Sequence, residues 1–358
     1  MNTAVSKSSN HRDHSLDFLR FFGVLIIIYA HTHPPEWIDQ IRNFGTPLLI
    51  VASAATYAYI YRSRELKVVA FLEKRMYRLL IPAWTFLTFF FGSLLIVSIV
   101  LDRPYPFNTS TIVESYLLYR GIGYVWIFKV YLYLAFLTPL LLAYTRIVKN
   151  DLLYYGSLVL FFTIYSIASQ YFENTMSERS FDIFADYVLT IFPYLALYGY
   201  GMRLHELKRS TVGWVALLSG IICAGIAIYL YQRTGAWVPT QEYKYPPQLY
   251  YLSYALMWVN ILYLVAYSPL IKSIPPKIIQ WLSENSLWIY LWHICAVYGL
   301  ERVMEYDKSI PVTVIRFFLI LAISIGLVLI QNQITKRVEL LHVLLHGSRR
   351  IQKMKKVA

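Results

Sequence analysis

Residues 16–33 read LDFLRFFGVLIIIYAHTH. Wound as a helix, an apolar run of this length spans the roughly 30 Å hydrocarbon layer of a bilayer. It is read as the first membrane span. Nine further apolar runs of near-spanning length follow at 44–61, 79–100, 124–144, 152–170, 183–202, 212–231, 248–267, 284–300 and 311–335. The expected fold is an all-α polytopic membrane protein with about ten transmembrane helices. Composition agrees: of 358 residues, 58% are hydrophobic and 15% charged, against roughly 25% charged in a soluble domain. A soluble enzyme and a disordered chain are both excluded.

Ten spans place both termini on one side, and charge chooses the side. The termini and the connections after even-numbered spans hold 22 Lys and Arg, against 8 in the connections after odd-numbered spans, which also carry 11 acids. The positive-inside rule puts both termini in the cytosol. Residues 1–15 are polar and no cleavage site of small residues follows the first run, so that span is expected to be retained uncleaved. The net charge of +13 reflects cytosolic loops meeting anionic lipid. No basic soluble domain exists to bind nucleic acid. The expected division is a membrane domain over 1–335 and a basic cytosolic tail over 336–358, with Arg349, Arg350, Lys353, Lys355 and Lys356 against the lipid surface. Cys223 and Cys295 sit singly in apolar runs, and no metal site is indicated.

Ionisable groups inside a span are costly, and each is a functional candidate. The first span carries Asp17, Arg20 and His31. At about 100° per residue, Arg20 and His31 differ by only about 20° around the helix, and Asp17 lies about 40° from His31. The rise separates Arg20 from His31 by about 16 Å, Arg20 toward the cytosol. Lys74, Arg75 and Arg78 immediately precede the third span; Arg75 and Arg78, three residues apart, are spaced as a double guanidinium suited to phosphate. The ninth span carries Ser286, Tyr290 and His293 on one face. Lys129, Asp186 and Arg316 lie near outer span ends, where snorkelling accounts for them. Lys244-Tyr245-Pro246-Pro247 forms a rigid approach to the eighth span, and Tyr250, Tyr251 and Tyr254 are expected to put phenols at that mouth, as interfacial anchors or for carbohydrate stacking.

These residues carry a family resemblance. Asp17-Phe18-Leu19-Arg20, ten residues, then His31 is similar to the R-x10-H signature of the type-3 membrane acyltransferases. Phe44-Gly45-Thr46-Pro47 opens the second span as in that family. Lys74-Arg75-x-x-Arg78-Leu79-Leu80-Ile81-Pro82-Ala83-Trp84 resembles its basic stretch ending in proline. Asn285-Ser286-Leu287-Trp288-Ile289-Tyr290-Leu291-Trp292-His293 resembles its late S-x-x-x-Y-x-x-H stretch. The likeness runs over about residues 13–335. The Lys244 run resembles members that act on surface polysaccharides. One departure stands at Ser53-Ala54, where many members have Ser-Gly, which bears on close backbone packing there.

The resemblance implies a membrane O-acyltransferase that moves an acyl group, commonly acetyl, from cytosolic acyl-CoA to a hydroxyl of an extracytoplasmic carbohydrate such as O-antigen, capsule or exopolysaccharide. It implies a bacterial inner-membrane, multi-pass protein whose partners are membrane lipids, acetyl-CoA as donor and a carbohydrate acceptor, and no metal. Arg20, Lys74, Arg75 and Arg78 would meet the CoA phosphates, with Asp17 orienting Arg20. His31 would be the general base or would carry the acyl group itself. His293, Ser286, Tyr290, Lys244 and Tyr245 would serve the acceptor or the developing oxyanion, His293 as a positioning group. A transporter or flippase for a lipid-linked glycan is the competing reading, although no pair of interrupted spans supports it.

Overall fold

The structure is a computed structural model that describes residues 12–62, 64–304 and 307–337. The tail residues Arg349, Arg350, Lys353, Lys355 and Lys356 lie outside them. The described chain is all helical, without strands. In order the helices are α1 (His14–Ala30), α2 (Glu36–Ile41), α3 (Gly45–Tyr61), α4 (Val68–Val100), α5 (Thr109–Tyr116), α6 (Trp126–Ile147), α7 (Asp151–Thr175), α8 (Glu178–Phe184), α9 (Ile191–Met202), α10 (Arg209–Thr234), α11 (Leu249–Ala266), α12 (Pro269–Lys272), α13 (Pro276–Leu300) and α14 (Ile310–Arg337). Each expected run falls on a long helix or a pair of abutting ones. The chief difference is α4, which begins at Val68 and runs for 33 residues, about 50 Å at helical rise. Lys74, Arg75 and Arg78 thus stand on a helical extension of the span.

Among the described residues, eight segments are long and apolar enough to cross a membrane. The two expected spans that miss this standard are α1, with 17 residues, and α13, whose 25 residues include Ser283, Glu284, Asn285, Ser286 and His293. Helix α1 falls short in length and α13 in apolar content, yet both are deeply packed. Leu16 and Leu19 of α1 belong to a core built with α3, α9 and α11. Val24, Ile27 and Ile28 belong to a second core built with α4, α13 and α14. Helix α1 is the wedge between the two.

Local chemistry sets its ends. The Asp13 carboxylate accepts from the backbone N–H of Ser15 and Leu16, a standard N-cap. At the other end the Arg316 guanidinium, on α14, donates to the Thr32 carbonyl over 2.8 Å. A cation there also suits the negative end of the helix dipole. Arg316 is 5% exposed, so it does not snorkel as expected but pins the terminus beside His31.

Two glycines permit close helix contacts. A Cβ on Gly45 would stand 2.9 Å from Ile27, so α1 and α3 nearly touch. A Cβ on Gly201 would stand 2.8 Å from the Ala54 Cβ and 2.8 Å from the Val51 carbonyl. The close packing expected of a glycine at position 54 is therefore achieved with the glycine on the facing helix, α9.

Cross-helix bonds sort the connections into two groups. At one end Arg146 donates to the carbonyls of Tyr61 and Arg64, Arg203 pairs with Asp151, and Tyr267 donates to Asp13. At the other, Gln40 bonds Thr240, His33 meets Glu301, and Arg120 pairs with Asp186. The first group joins connections expected in the cytosol, the second those expected outside.

Candidate active site

Helices α1 and α13 run side by side in the same direction. At one end the Arg20 Nη1 donates to the Ser283 Oγ over 3.2 Å. At the other, the His31 Nδ1 and the His293 Nε2 stand 2.8 Å apart. Ten to eleven residues along each helix separate these contacts, about 15–16 Å.

The two histidines share a proton in a defined order. His293 Nδ1 bonds the Tyr290 carbonyl. A carbonyl only accepts, so Nδ1 bears the hydrogen and Nε2 of the neutral ring carries the lone pair. His31 Nδ1 must then donate to that lone pair, which leaves His31 Nε2 as the basic nitrogen. The rings are nearly parallel, 12° apart in plane with centroids 5.0 Å apart. Tyr124 lies edge-on to His31, centroids 4.6 Å apart. Tyr290 OH donates to the Tyr124 carbonyl over 2.6 Å, which ties that loop to α13.

His31 lines a cavity of about 70 Å³ together with Arg42, Asn43, Trp126, Lys244, Tyr245 and Tyr290. The cavity therefore joins His31 to three expected acceptor residues, Lys244, Tyr245 and Tyr290. Lys244 lies over the rings of Tyr245 and Tyr251 at 5.3 and 5.9 Å. Burial, with repulsion from Arg42, pulls its ammonium down to about 7. Tyr245 packs edge-on against Trp126 and is half exposed. Ser286 does not reach this cavity: it lies about 10 Å nearer the Arg20 end of α13, and its hydroxyl donates to the Ser283 carbonyl. The expected open mouth of phenols is also corrected. Tyr250 and Tyr254 donate to the carbonyls of Val238 and Ile41, and Tyr251 is fully buried. They fasten loops. Lys129 likewise does not snorkel, since it donates to the Asp186 carbonyl and lies over Tyr119 and Tyr187.

The other end is polar in a different way. Asp17, 5% exposed, accepts from Arg12 and from the Ser283 Oγ, and stands 3.7 Å from Arg20. Arg20 donates to the Thr56 Oγ1 over 2.9 Å. Arg75 stacks on the next residue of α3, Tyr57, at 4.4 Å from the ring centroid. Arg20 and Arg75 thus converge on adjacent positions of α3, Asp17 holding the first as expected. Arg75 is half-buried against α3, Arg78 three residues on is likewise half-buried, and Lys74 is exposed.

Arg42, Asn43, Tyr124 and Trp126 are site residues that sequence reading missed. Each sits in a connection or at a helix end, with no periodicity to mark it. Phe44-Gly45-Thr46-Pro47, directly after Asn43, was the available signal. Among the described residues no group of three or more His, Cys, Asp or Glu is placed to hold a metal ion.

The helices form a multi-pass membrane architecture with a histidine pair at one end of a parallel helix pair and two arginines converging at the other. The family described as acyltransferase domain matches residues 13–330, and the chain belongs to this type-3 acyltransferase family. Neither the curated proteins nor the solved structures contain a match to it.

Proposed function

We propose that the protein is a membrane O-acyltransferase that takes an acyl group, acetyl first among the options, from cytosolic acyl-CoA. It passes the group to a hydroxyl of an extracytoplasmic carbohydrate such as O-antigen, capsule or exopolysaccharide. The proposal includes ten crossings of the bacterial inner membrane with both termini cytosolic. The shared direction of α1 and α13, first and ninth in that count, supports the topology. The single observation that carries the reaction is the free His31 Nε2 at a cavity, on the same helix as Arg20 and about 16 Å from it.

Arg20 and Arg75, with Lys74 and Arg78 on the helical extension, meet the CoA phosphates, and the pantetheine arm brings the thioester toward His31. His31 Nε2 takes the proton of the acceptor hydroxyl as that oxygen bonds to the thioester carbonyl carbon. The tetrahedral intermediate collapses, the C–S bond breaks, and the imidazolium returns the proton to the CoA thiolate. Throughout, His31 Nδ1–H stays bonded to His293, which keeps the ring oriented and shares the transient charge. Transfer by way of an acyl-His31 intermediate uses the same groups.

Purified protein supplied with acetyl-CoA and an oligosaccharide acceptor should release CoA thiol and form an acyl ester. A glycan transporter would do neither. Single cysteines at Lys244 and at Lys74 should react with impermeant reagents from opposite sides. Reaction of both from one side would overturn the topology.

A further inference from the structure

The cavity at His31 is charged in a way that acyl transfer to a neutral sugar does not require. Only eight Lys and Arg occupy the connections on that side of the chain, and two of them, Arg42 and Lys244, line this one cavity. They come from different connections, bound together through Thr240, which accepts from Gln40 at 2.9 Å and from Asn43 at 3.0 Å. The pair is therefore held in place by the fold. Asp39 pairs with Arg42. No carboxylate pairs with Lys244 among the described residues; its ammonium has the Gln241 Oε1 at 3.4 Å and two ring faces. One cation is thus left over next to a neutral imidazole. A half-buried ammonium without a counterion is costly, and it works against a base that must itself become positive. An anion in the cavity removes both penalties.

A second observation points the same way. Asn43 is 2% exposed. Its amide N–H is spent on Thr240, but its Oδ1 has no hydrogen-bond partner. Asn43 lines the cavity; an unmet buried amide oxygen asks for a donor, and a sugar hydroxyl is one. The cavity thus offers a cation for an anion and, beside it, an acceptor for a hydroxyl.

We infer that the acceptor carries an anionic group, a carboxylate or a phosphate, close to the hydroxyl that receives the acyl group, with Lys244 and Arg42 seating the anion and Asn43 Oδ1 a neighbouring hydroxyl. This rests on the acyltransferase reading and names its substrate class as acidic carbohydrate. Uronate residues and sugar phosphates both present this chemistry.

The test is equilibrium binding of three probes to the purified full-length protein: methyl glucuronide, glucose 1-phosphate and neutral methyl glucoside. At least one charged probe should bind about tenfold more tightly than the neutral one, and which one identifies the anion. Lys244→Gln should bring the ratio toward unity, while Lys244→Arg should keep it. Equal binding of charged and neutral probes, undetectable binding of the charged ones included, would overturn the inference, as would a ratio untouched by Lys244→Gln. Thioester cleavage of acetyl-CoA by the same preparation is read separately. Its absence with every acceptor counts against the acyltransferase reading and leaves the binding ratio as an independent result.

Discussion

His31 and His293 lie 262 positions apart in the chain and 2.8 Å apart in space, Nδ1 to Nε2. The contact makes His293 the group that decides which nitrogen of His31 is basic. Removing it frees His31 to adopt the other tautomer or to turn away. His293→Ala should lower the turnover number by about tenfold to a hundredfold, the usual cost of losing a partner that orients a functional imidazole. The KM for acyl-CoA should not move. His293→Gln, whose side-chain carbonyl can still accept from His31 Nδ1–H, should recover part of the loss. A variant with His293→Ala and unchanged turnover would break the dyad account.

At the opposite end, Arg20→Ala and Arg75→Ala should weaken acyl-CoA binding before they affect the chemical step. Arg20 is held by Thr56, Ser283 and Asp17, so its charge is fixed in place. A charge-assisted bond to phosphate is worth about 1.5–3 kcal/mol, roughly tenfold or more in affinity. Direct binding of CoA to each purified variant reads this, and the loss should shrink as salt rises if the contact is solvent-accessible. Donor affinity unchanged in both variants would return the two arginines to a lipid-facing or packing role.

The proposed acceptor cavity should respond to pH through Lys244. Burial and Arg42 pull its ammonium down to about 7, with Asp39 partly offsetting this. The group is charged below that value and neutral above it. Binding of methyl glucuronide, whose carboxylate stays ionised throughout, should therefore strengthen as pH falls from about 8 to 6. His31, Tyr245 and Tyr251 also face this site, which is why binding rather than turnover is measured. Lys244→Arg keeps its charge across the range and should flatten the profile. A flat profile in the unaltered protein would remove Lys244 from acceptor binding.

Gly201→Ala tests the packing that replaces the expected glycine at position 54. The added methyl would meet the Ala54 Cβ and the Val51 carbonyl, each at 2.8 Å. Overpacking of this kind costs about 1–3 kcal/mol. Thermal unfolding in detergent should show the loss. Adding Ala54→Gly should recover only part of it, because the Val51 carbonyl remains in the way. Full stability of Gly201→Ala would mean that α3 and α9 are less tightly apposed than described.

Much of this arrangement is legible along the chain because it depends on helical periodicity. Asp17, Arg20 and His31 fall on one face by spacing alone, and so do Tyr290 and His293. The apolar runs locate the long helices to within a few residues, except where α4 and α13 continue past the apolar run into polar sequence. What periodicity does not carry is which helix lies beside which. The pairing of His31 with His293, the turn of Arg75 toward Tyr57 and the burial of Arg316 against Thr32 arise from contacts between distant segments. Arg42, Asn43 and Tyr124 lie in connections, where no repeating pattern sets them apart from ordinary polar loop residues. Tyr250, Tyr251 and Tyr254 misled in the opposite direction: a run of phenols at a span end matches an interfacial belt in sequence, and only the fold reveals that their hydroxyls or rings are turned inward.

The most direct test of the central claim is acyl transfer by His31→Ala, measured beside its affinity for acyl-CoA. A general base typically contributes about 10²–10⁴-fold in rate, and the donor's charged groups lie about 16 Å away along α1. Transfer to the carbohydrate should fall by that factor while donor affinity is unchanged. Near-normal transfer by His31→Ala would contradict the account and move the base elsewhere, His293 being the first place to look.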